Sequence, residues 1–234
     1  MNQIDPVADN PYTPPQAHVA AVDDFNPAGE VVYAGFWRRA AALFIDSFVV
    51  GIAYYALLIG GMFAVGFDFT QFASGAAPGA GAIGGLIVLV YVLYPLVSGL
   101  YYVLQESSDA QATLGKRAVG IKVTDNQGRR LSLGHVLGRW ASHLLCYFTM
   151  YIGYIMAGFT DRKRGLHDMV ASTLVVDRWA YTGSADRQRH GVGGVAIAVL
   201  IVAALLMVGY IAVLMAVLVP LMQQAAQGSM PAGG

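Results

Sequence analysis

The sequence predicts an all-α integral membrane protein: a transmembrane helix bundle with one broken or re-entrant segment and a small cytoplasmic β element. Three observations carry this. Hydrophobic residues make up 56% of the 234 residues and charged residues only 12%, about half the share usual for soluble domains. Three segments are apolar over the roughly 20 residues that a helix needs to cross a hydrocarbon core about 30 Å thick. All 14 Lys and Arg residues lie in two places, Arg38 with Arg39 and the stretch 116–189. The 14 acids balance them, so no basic field exists to hold a nucleic acid. The single Cys146 excludes an internal disulfide.

Residues 1–32 contain NPYTPP at 10–15 and five acids without a base before position 31, which reads as a disordered tail. It lacks the basic and apolar regions of a signal peptide. The first apolar segment, 40–66, is interrupted only by Asp46, and the second, 82–104, is uncharged but carries Pro95. The third, 192–219, is rich in Ala, Val, Leu and Ile, and belongs to an additional C-terminal helix over 192–222. It follows a basic linker, 178–191, and precedes a short disordered tail, 223–234. Pro95 predicts a kink that frees a backbone carbonyl, which Ser98 is near enough to satisfy.

Basic residues near membrane ends stay on the cytoplasmic side. Arg38 and Arg39 therefore place the N-terminus inside, and the unbasic 67–80 linker belongs outside. The loop 105–134, with five basic residues, returns inside. The loop 160–190, with six, wants the same side. The apolar segment between them, 135–159, would separate them if it crossed. Either it enters and leaves on one side, or it makes a fourth crossing, for which its length speaks. Two β-branched stretches, 118–124 and 172–177, flank it. They can pair only if both lie on one side.

Three motifs hold what specificity there is: AGFWRRAAALFID at 34–46, TLGKRAVGIKVTD at 113–125, and DRKRGLHD at 161–168 leading into ASTLVV at 171–176. In this order and spacing the chain, over about residues 33–177, resembles the RDD family of prokaryotic integral membrane proteins, named for an Arg and two Asp residues. The resemblance implies a bacterial inner-membrane protein and a link to transport of a small ion or solute, cation/proton exchange included. His167 and Asp168 enter the candidate set through the family's Leu-His-Asp match.

The residues themselves point to Asp46. Arg39 lies seven positions earlier on the same helix face, about 10 Å away along the axis, and can snorkel to the headgroups. An ionised Asp in the hydrocarbon costs on the order of 2.5–3.5 kcal/mol, so Asp46 needs a proton or a cationic partner. Arg139 and His143, sharing a face at i,i+4, are the candidates. Asp46 either binds a transported proton or cation, its acidity tuned by Arg39 and Arg139, or locks the helices together. Lys116 contacts headgroups or acidic groups. The alternative to transport is a scaffold that presents its basic face to a partner protein or anionic lipid, and a homo-oligomer is a further partner. No nucleophile–base pair, HExxH or nucleotide fingerprint occurs, so no enzyme and no cofactor are expected. His143 and Cys146 form an i,i+3 pair, but no convergent His is evident, so no metal site is assigned.

Overall fold

The computed structural model describes residues 30–75, 77 and 79–228. The acidic tail at 1–29 and the last residues, 229–234, lie outside the described residues. Helix α1 (Phe36–Ala64) is followed by a short turn of helix, α2 (Phe69–Ala73). The next helix is continuous from α3 (Ala80–Val88) through a π turn (Leu89–Leu93) into α4 (Tyr94–Glu106). Helix α5 (Leu114–Ala118) leads into β1 (Ile121–Asp125). After α6 (Leu133–Phe148) come α7 (Ile152–Ile155), α8 (Leu166–Val170) and β2 (Thr173–Asp177). The last described element is α9 (Gly194–Gly228).

Among the described residues, three helices are long and apolar enough to cross a membrane: Phe36–Ala64, Ala80–Glu106 and Gly194–Gln224. A π turn, Leu89–Leu93, lies just before Pro95. Proline has no N–H and its ring crowds the preceding turn, and a π turn accommodates both. Ser98 Oγ donates instead to the carbonyl of Pro95 itself, at 3.3 Å. Helix α9 begins at Gly194 and continues through 223–228, where a tail was expected. Its sequence stays apolar to Met222 and keeps good helix formers beyond it, so nothing stops the helix there.

The segment 135–159 turns back. Strands β1 and β2 pair antiparallel from Ile121 opposite Asp177 to Asp125 opposite Thr173. The chain therefore leaves at Asp125 and returns beside it at Thr173. Helix α6 has 16 residues, about 24 Å of rise and short of a full span. It ends where Met150 (φ 49°) and Tyr151 (φ 66°) take left-handed conformations in succession, a strained corner for side chains with a Cβ. The return arm holds only the four residues of α7 and a 3-10 turn, Met156–Gly158.

The β element differs from expectation at its start. Residues 118–120 close α5 and turn through Gly120 (φ 72°), so β1 begins at Ile121. A short extended stretch before α1 adds to the other edge of β2: Ala34 N–H donates to Val175 O at 2.9 Å, and Asp177 N–H to Val32 O at 2.8 Å. The core lies where this sheet meets the helix ends. Ala34, Ala41, Ala42, Val119, Ile121, Val123, Val136 and Val175 are buried together. Ala196 joins them from α9, anchoring that helix at its start. The basic stretch 178–191 also docks there: Arg178 N–H bonds Gly120 O at 3.0 Å, and Arg187 lies over the Trp179 ring at 4.1 Å.

Candidate functional site

Helix α1 buries Arg38, Ala42, Asp46, Val50 and Tyr54, a stripe at i,i+4 that runs into the bundle. Two polar clusters hang on it. The first is a core of ion pairs where α1 begins, α4 ends and α6 begins. Asp168, fully buried at the first turn of α8, accepts from Arg39 and from Arg139. Its Oδ2 also accepts Gly165 N–H at 2.9 Å, closing the start of α8. Burial alone pushes its carboxyl up, but the two guanidiniums outweigh this and hold it well below the usual carboxylate range.

Arg139 continues the chain of charges. Its Nε donates to Glu106 Oε2 at 3.1 Å, and Nη1 also reaches Thr173 Oγ1 at 2.8 Å. Glu106 in turn takes the Lys116 ammonium. Three cations thus surround two carboxylates, and each carboxylate receives two of them. Arg39 does not snorkel to the headgroups: its remaining donors go to the carbonyls of Ala34, at 2.8 Å, and Lys163. Of the two roles open to Lys116, the acidic partner is the observed one. Beside this core, Arg38 reaches Asp177 Oδ2 at 3.0 Å and the carbonyls of Val119 and Gly120, tying α1 to both strands.

The second cluster is Asp46. The expected partners, Arg139 and His143, do not reach it, because Arg139 is occupied by Asp168 and Glu106 and His143 stacks with Tyr154. Arg39 turns the other way. Asp46 instead accepts Tyr101 OH at 2.6 Å, Thr113 Oγ1 at 2.6 Å and Gly115 N–H at 2.7 Å. Thr113 is well suited to this. Its hydroxyl donates to Asp46 while accepting Lys116 N–H at 3.3 Å, capping α5. Gly115 is required for the approach: a Cβ there would sit 2.1 Å from Ala42 O and 2.8 Å from the Asp46 carboxyl carbon. From Ser47 onward, a groove of about 510 Å³ continues between α1 and the π turn, lined by Gly51, Tyr54, Tyr91 and Tyr94.

The structure therefore unites Arg39, Lys116, Arg139 and Asp168 in one network and leaves Asp46 apart. His143 and His167 meet in a third cluster, with ring centroids 4.1 Å apart. Cys146 Sγ lies 3.4 Å from His167 Nδ1, so the pair His143 and Cys146 does acquire a convergent histidine. Sequence reasoning missed Glu106, Tyr101, Thr113, Gly115 and the Arg38–Asp177 pair. Glu106 carried a legible signal, an acid closing an apolar span at the end where the arginines gather. The two hydroxyls carried none, since nothing in their spacing relates them to position 46.

The RDD family model matches residues 33–172, more than half of the chain. The chain belongs to the RDD family. It is similar to the uncharacterized protein YxaI of Bacillus subtilis (strain 168), 38% identical over 146 residues, which are 61% of this chain and 96% of YxaI. It is also similar to the uncharacterized membrane protein YteJ of the same organism, 30% identical over 156 residues, 64% of this chain and 84% of YteJ. No solved structure matches the chain. The match ends at residue 172, so α9 stands outside the RDD region while both clusters on α1 stand inside it.

Proposed function

We propose that this RDD protein moves a small ion across the bacterial inner membrane, exchanging a proton against a monovalent cation at Asp46. One observation supports this reading above the others. Among the described residues, four acids are buried: Asp46, Glu106, Asp168 and Asp177. Glu106, Asp168 and Asp177 each have a guanidinium or ammonium partner. Asp46, 1% exposed and set in an apolar helix, has only hydroxyl and backbone N–H donors. An intramembrane acid without a counter-ion is where a mobile cation or proton is accommodated at least cost. The hydroxyls of Tyr101 and Thr113 can reverse: each donates to the carboxylate in one state and offers its oxygen to a hard cation in the other.

In this reading the ion-pair network is the frame that holds α1, α4, α6 and α8 in register, and Arg39 and Arg139 act on Asp46 only through that frame. In this reading the sheet and the start of α1 face the cytoplasm, the side that the basic loops favour. The test is cation-driven proton flux in proteoliposomes, read with a trapped pH dye under Na⁺ and K⁺ gradients. The wild-type protein shows flux and Asp46→Asn abolishes it. Flux that survives Asp46→Asn removes Asp46 from the mechanism, and no flux with either cation overturns the exchange reading.

A second reading has its own observation. In Ala80–Glu106 and in Gly194–Gln224, the most apolar 18-residue window buries none of its residues within the chain. Faces of that kind suit a scaffold that assembles with itself or with a partner protein in the lipid bilayer, its basic face meeting anionic headgroups. Equal flux from protein-containing and empty vesicles, with a stable assembly on cross-linking, would favour this reading.

A further inference from the structure

The turned-back segment brings together three further side chains, of which His167 alone touches the ion-pair network, at Asp168. His143 and Cys146 project from one face of α6, and His167 comes from α8. One ligand atom from each lies within 4.8 Å of the other two. One edge, Cys146 Sγ to His167 Nδ1, is 3.4 Å. Zn–S and Zn–N bonds of about 2.3 Å and 2.0–2.1 Å put tetrahedral ligands roughly 3.5 Å apart, so this edge already has the length of a filled site.

The surroundings match what holds metal-binding histidines. His167 turns Nδ1 toward the thiol and places Nε2 3.4 Å from Asp168 Oδ1. A carboxylate on the far ring nitrogen fixes tautomer and orientation in metal sites. His143 has Nδ1 engaged by Tyr154 OH at 2.9 Å, which leaves Nε2 as the nitrogen it can offer. Two glycines make room. A Cβ on Gly153 would lie 2.9 Å from Cys146 Sγ, and one on Gly165 2.8 Å from His167 Cε1. Cys146 is fully buried while His143 is only partly so, which leaves an approach from the His143 side.

We propose that His143, Cys146 and His167 bind a thiophilic transition-metal ion through two imidazoles and one thiolate, with Zn²⁺ the reference ion. A soft thiolate beside two imidazoles selects this class over Mg²⁺ or Ca²⁺. Binding releases the Cys146 thiol proton to solvent and leaves a fourth position for water. The ion pins α6 to α8 where the segment reverses, and Asp168 links it to Arg39 and Arg139.

The test uses the full chain in detergent, without a polyhistidine tag and stripped by a chelator. Co²⁺ addition is followed by absorption and Zn²⁺ addition by dye competition. Cys146 is the only thiol of the chain, so a thiolate-to-cobalt charge-transfer band arises from it alone. One equivalent of Co²⁺ produces the band. Cys146→Ser abolishes it and weakens Zn²⁺ binding more than roughly tenfold. His143→Gln at the partly exposed position weakens it similarly, while His190→Gln at the exposed surface changes nothing. Helicity by circular dichroism identifies folded variants, and if Cys146→Ser does not fold, His143→Gln carries the test. Absence of the band in folded wild-type protein, or Zn²⁺ affinity unchanged by His143→Gln, overturns the proposal and leaves the cluster as packed rings.

Discussion

The Arg139 guanidinium is bound to the Asp168 carboxylate, both buried, from the two arms of the segment that leaves the sheet and returns to it. That pair closes the base of a loop whose ends are already fixed by the pairing of Asp125 with Thr173. Arg39 joins the same carboxylate from α1, so one acid ties the reversal to the first membrane helix.

Removing that acid leaves two guanidiniums buried without their shared partner. Breaking a buried pair costs about 3–5 kcal/mol. Asp168→Asn should lower stability by that order, seen as a large fall in thermal unfolding temperature in detergent. Glu106→Gln, which leaves Arg139 its bond to Asp168, should cost less.

Gly115→Ala should be damaging out of proportion to one methyl group. The added Cβ meets a backbone oxygen at 2.1 Å, and backbone cannot step aside as a side-chain tip can. The cost should reach the upper end of the roughly 1–3 kcal/mol of overpacking, with loss of the N–H bond to Asp46 added. Gly138→Ala on α6 has open space around it and should be neutral, or stabilising by up to about 1 kcal/mol from helix propensity. Expression level and unfolding temperature distinguish the two.

Topology has a direct readout. In a Cys146→Ser background, Gln127→Cys in the turn after β1 and Gly183→Cys after β2 should be labelled by an impermeant thiol reagent from one side. Ala77→Cys in the linker after α1 should be labelled from the other. Labelling of Gln127→Cys and Gly183→Cys from opposite sides would mean that 135–159 crosses.

Tyr101→Phe and Thr113→Val each delete one hydroxyl from Asp46, and Thr113→Val also removes the cap on Lys116 N–H. Each variant should fold, lose about 1–3 kcal/mol of stability for the donor removed, and slow exchange without abolishing it. In proteoliposomes the double variant should approach Asp46→Asn in rate.

The sequence made the membrane class and the reversal legible because both depend on one-dimensional quantities, apolar run length and basic-residue placement. Two basic loops competing for one side anticipated the pairing of β1 with β2. Partner choice was not legible. The sequence offered Arg139 as a partner for Asp46, yet Arg139 has Asp168, 29 positions away. Asp46 takes hydroxyls 55 and 67 positions away. Such contacts depend on how the return arm folds back, and no periodicity records it. The convergence of His167 on His143 and Cys146 was hidden for the same reason.

In the proposed exchange Asp46 alternates between a proton and a cation, and difference infrared spectroscopy of the reconstituted protein reads that change on the carboxyl group itself. Adding Na⁺ or K⁺ should remove the carbonyl stretch of a protonated carboxyl group and produce a carboxylate band. Asp46→Asn should remove both changes. A cation-induced spectrum that is flat in the wild-type protein, or unaltered in Asp46→Asn, would contradict it.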